Sequence, residues 1–99
     1  MVERRGETFV MREESGPLTF SAVLLGVASN TLIHLGASPN PETGQTHVDL
    51  EQARVWIDVL ELLREKTKGN LTKEEEHLVG SLLNDLRLKF VEKSRAAGR

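Results

Sequence analysis

Downstream of residue 17 the chain carries three blocks in which apolar side chains recur at helical spacing, separated by two stretches that break the pattern. In the first block Leu18, Phe20, Ala22, Val23, Leu24, Leu25, Val27, Ala28, Leu32, Ile33 and Leu35 crowd so closely that only a narrow strip of Thr19, Gly26, Asn30 and His34 stays polar. Ser15 or Gly16 stands where a cap belongs, and Pro17 has the φ of a first helical turn. Gly36 accepts the left-handed conformation that ends a helix, so the block predicts a helix over 17–35.

In the second block Leu50, Ala53, Ile57 and Leu60 repeat at three and four, while Trp56, Val59 and Leu63 widen the stripe to a second face. Asp49 with Gln52 three residues later forms a capping pattern, Lys66 and Lys68 complement the carboxyl end, and Gly69 stops a helix predicted over 49–68. In the third block Thr72 and Glu75 again form a capping pattern, and Leu78, Val79, Leu82, Leu83, Leu86 and Phe90 form the stripe of a helix over 72–93. Leu88 and Val91 fall to its side, and residues 94–99 are expected to fray. Between the first two helices, Pro39, Pro41 and Thr43-Gly44 forbid helix and predict a stiff loop.

The fold expected is all-α: a three-helix bundle-like domain over 17–93, preceded by an extended or mobile amino-terminal arm at 1–16. Trp56, Leu60 and Leu63 on helix two, with Leu82, Leu86 and Phe90 on helix three, are expected to pack on helix one. Two short helices cover only part of a helix apolar nearly all round. The bundle is therefore expected to be completed by a homo-oligomer formed through helix one, with Ala22, Gly26, Ser29, Asn30, Ile33 and His34 as the candidate interface.

Composition narrows the function. Thirteen Lys and Arg against fifteen Asp and Glu give a net charge of −2, which supplies no global attraction to nucleic acid or to an anionic membrane. The absence of cysteine excludes thiol nucleophiles, disulfides and zinc-thiolate sites. The apolar run from Leu18 to Leu35 barely approaches the roughly 18 to 20 residues of a membrane span and contains Asn30, Thr31 and His34, so no membrane association is expected and a cytoplasmic location is the default.

Several ordered runs resemble a known family. They are Leu32-Ile33-His34-Leu35-Gly36, Pro39-Asn40-Pro41-Glu42-Thr43-Gly44, Asp49-Leu50, Ile57-Asp58, Lys66-Thr67-Lys68-Gly69-Asn70-Leu71-Thr72 and Asp85-Leu86-Arg87. On these the chain is similar to the small bacterial proteins grouped as domain of unknown function 1844. The resemblance covers about residues 18 to 91 and implies a small helical cytoplasmic protein; it brings no activity and no catalytic residues to carry over.

The residues themselves nominate little chemistry. His34, His47 and His77 sit in three segments without ligand spacing, so no metal and no cofactor are expected. Asp58, Glu61 and Glu65 read as a solvated helix face supported by Arg64 and Lys68, and no nucleophile stands beside a base, so the chain is not expected to be an enzyme. Two further surfaces are candidates: a loop site of Pro39, Pro41, Glu42, Gly44 and His47, and a basic patch of Arg87, Lys89, Lys93 and Arg95. The patch is the basis of an alternative reading as a nucleic-acid or acidic-partner binder, against which stand the helix-dipole role of basic residues there and the lack of interleaved aromatics. The leading expectation is an assembly or protein-interaction module that self-associates.

Overall fold

The capping and stop signals turn the three apolar blocks into α1 (Phe20–His34), α2 (Leu50–Lys66) and α3 (Lys73–Ala97). The computed structural model describes residues 18–98, and no strand occurs among them beyond one isolated antiparallel bridge between Leu35 and Val48. The expected amino-terminal arm, with Ser15, Gly16 and Pro17, lies outside the described residues, as does Arg99.

Helix α1 starts later than the proline signal implies. Thr19 is its cap, in an extended conformation, with Oγ1 accepting the Ala22 N–H at 3.1 Å. Its other end closes on a Schellman motif: the Gly36 N–H donates to the Ile33 carbonyl at 3.0 Å and the Ala37 N–H to the Leu32 carbonyl at 2.9 Å. Gly36 holds the φ of 75° that this motif requires. At the start of α2 the Asp49 carboxylate accepts the Gln52 N–H at 3.2 Å. The full reciprocal box forms at α3, where Thr72 Oγ1 accepts from Glu75 N–H and Glu75 Oε1 accepts from Thr72 N–H at 2.9 Å.

Helix α3 runs on to Ala97, past the fraying tail expected from residue 94, because Ser94-Arg95-Ala96-Ala97 contains no helix breaker before Gly98. The turn between α2 and α3 is closed by the Asn70 N–H donating to the Thr67 carbonyl at 2.8 Å, with Gly69 at φ 89°. The two helices run antiparallel: Glu65 and Lys68 share a cleft with Glu76 and Val79, whereas Arg54 and Ile57 share a groove with Phe90 and Val91.

Each helix touches both of the others, and the core lies between them. It consists of Leu24, Ala28 and Leu35 from α1 and its cap, Ala53, Ile57 and Leu60 from α2, and Val79, Leu83 and Leu86 from α3. Phe20, Val27, Leu32, Leu50, Leu71, Leu78, Leu82 and Phe90 close around it. The expected packing of Trp56 and Leu63 is corrected here. Both are half-buried and stand outside the core cluster, because α2 turns the Ala53–Ile57–Leu60 stripe inward and leaves the Trp56–Val59–Leu63 stripe at the flank. Thr31 is the fully buried polar residue of α1, and its Oγ1 donates to the Val27 carbonyl at 2.8 Å, so the hydroxyl enters the core satisfied.

Candidate functional site

Helix α1 contains no Asp, Glu, Lys or Arg, and His34 at its last position is the one titratable side chain. Leu24, Ala28 and Thr31 point inward, which places Ala22, Leu25, Gly26 and Ser29 on the opposite side, all of them exposed. Of the candidate interface residues, Ala22, Gly26 and Ser29 therefore share the outward face. Ile33 lies on the same side one turn beyond Ser29, and Asn30 and His34 lie at its flank, all three half-buried.

The sequence reading missed Leu25 and Leu18. Leu25 is 50% exposed midway along α1, at one edge of the outward face, and Leu18 is 79% exposed just before the cap. A helix apolar on every side gives no sign of which leucines face in; the available signal was the spacing of three from Ala22 to Leu25 and of four from Leu25 to Ser29. Water-facing apolar side chains continue on the other helices, with Val55 and Leu62 on α2 and Leu88 and Val91 on α3 all at least two-fifths exposed.

Gly26 adds a second observation. A β-carbon built there meets nothing within 4 Å. Packing inside the chain therefore does not require glycine, although a mid-helix glycine is about 1 kcal/mol less favourable than alanine. Gly26 thus leaves bare backbone on the exposed face of α1, and no other described residue packs over it.

The loop candidates have a different character. Pro39, Pro41, Glu42, Gly44 and His47 are all exposed, and the turn is organised by Asn40. Its N–H donates to the Gln45 carbonyl at 2.9 Å, its carbonyl accepts from Gly44 N–H at 2.7 Å, and its Oδ1 accepts from Glu42 N–H at 2.8 Å. These bonds consume the polar backbone of the loop in holding its own shape. No convergent set of side chains projects from it.

The basic candidates do not form one surface. At about 100° per residue, Arg87 and Arg95 lie toward one side of α3, while Lys89 and Lys93 lie toward the other. Arg87 is also engaged with the Glu61 carboxylate of α2 across the helix pair. Beside this pair, the cleft of about 380 Å³ between α2 and α3 mixes Glu61, Glu65 and Glu76 with Arg64 and Lys68, so its charges compensate one another. No group of three or more His, Asp or Glu side chains able to hold a metal ion occurs among the described residues, and no helix there is long and apolar enough to cross a membrane.

The model of the family described as domain of unknown function 1844 matches residues 17–92, from the start of the first apolar block to the penultimate turns of α3. This chain belongs to that family. The domain of unknown function 1844 match thus takes in the outward face of α1, the Asn40 turn and both capped helix starts, while the last turns of α3 through Ala97 extend beyond it. No curated protein and no solved structure matches the chain.

Proposed function

We propose that this member of the family is a non-catalytic assembly module that binds a second copy of itself through the outward face of α1. The observation that carries the reading is a 15-residue helix without Asp, Glu, Lys or Arg whose exposed side presents Ala22, Leu25, Gly26 and Ser29 to water. A helix that is merely one wall of a monomeric bundle has a polar outer face. An apolar outer face is the usual mark of a surface that another protein covers.

The nucleic-acid alternative has weaker support, since the basic side chains of α3 are dispersed around its axis and Arg87 already has an anionic partner.

The test is light scattering after size exclusion over about a hundredfold range of concentration. The mass is expected to rise from that of one chain, 11.0 kDa, toward twice that value. A mass that stays at one chain throughout rejects the proposal.

A further inference from the structure

We draw no further inference here: the strongest candidate, the apolar groove between α2 and α3 lined by Arg54, Ile57, Arg87, Phe90 and Val91, carries nothing, because nothing in the structure shows what covers it and the Arg87 charge at its rim already has the Glu61 carboxylate as its partner.

Discussion

A β-carbon on Gly36 would lie 2.6 Å from Cγ2 of Val48, at the point where the end of α1 is bridged to the strand-like residue preceding the cap of α2. The same glycine holds φ at 75°, and next to it the Asp49 N–H donates to the His34 carbonyl at 2.7 Å. One residue thus ends α1, admits Val48 and lets the chain start α2 against the end of α1. Gly36→Ala meets both the left-handed strain, about 1 to 2 kcal/mol, and a contact that forces Val48 to move. Gly44→Ala, at φ 73° with open space around it, meets the strain alone. Urea unfolding of both variants is expected to show the larger loss at Gly36; equal losses would mean that the Val48 contact relaxes freely.

Leu86 is 2% exposed and Leu88 is 57% exposed, two residues apart on α3. Leu86→Ala is expected to lower stability by about 2 to 5 kcal/mol through lost burial and the cavity left behind. Leu88→Ala, measured at concentrations where the chain is monomeric, is expected to fall within about 0.5 kcal/mol of the natural chain. Chemical denaturation midpoints at constant slope measure both.

Gly26 separates folding from the proposed association. Gly26→Ala is expected to stabilise the dilute monomer by about 1 kcal/mol, since helix propensity improves and nothing stands in the way of the methyl group. Gly26→Leu is expected to keep the helix and to cover the bare backbone, weakening dimerisation at least about tenfold, or roughly 1.4 kcal/mol. Thermal unfolding and sedimentation read the two effects separately. A leucine variant that associates as strongly as the natural chain removes Gly26 from the proposed α1 interface.

The Thr72–Glu75 box satisfies two backbone N–H groups at the start of α3. Thr72→Ala is expected to lower stability by about 1 kcal/mol. A double-mutant cycle with Glu75→Ala should show coupling, because the two side chains cap the same first turn. Independent, fully additive losses would show that each acts alone.

Arg87 and Glu61 form an ion pair between α2 and α3 whose side chains are 51% and 42% exposed. Water and salt screen a pair so placed, so Arg87→Ala is expected to cost less than about 1 kcal/mol, with the difference shrinking as ionic strength rises. A larger loss insensitive to salt would point to the packing of the arginine stem beside Phe90 and Val91 instead.

Helix starts and stops were legible because they depend on groups three or four residues apart. Asp49 with Gln52, Thr72 with Glu75, and the glycines at 36 and 69 make their contacts within one turn, and they stand where the pattern put them. The start of α1 was misplaced because Pro17 and Thr19 are competing local signals, and the bond from Ala22 N–H to Thr19 Oγ1 decided between them. The self-contained shape of the Asn40 turn was not legible, since its prolines announce a stiff loop without saying which carbonyls close it.

The amino-acid sequence alone determined that the chain makes three helices, where two of them are capped, that α1 is too apolar to be an ordinary surface helix, and which leucines of α3 form its inner stripe. Only the tertiary structure decided which of the two apolar stripes of α2 enters the core and which leucines of α1 remain in water. The physical reason is that periodicity records how many faces of a helix are apolar, whereas the choice among them depends on where the neighbouring helices lie. That position is set by contacts far apart in the chain, such as the bridge from Leu35 to Val48 and the antiparallel return of α3 along α2.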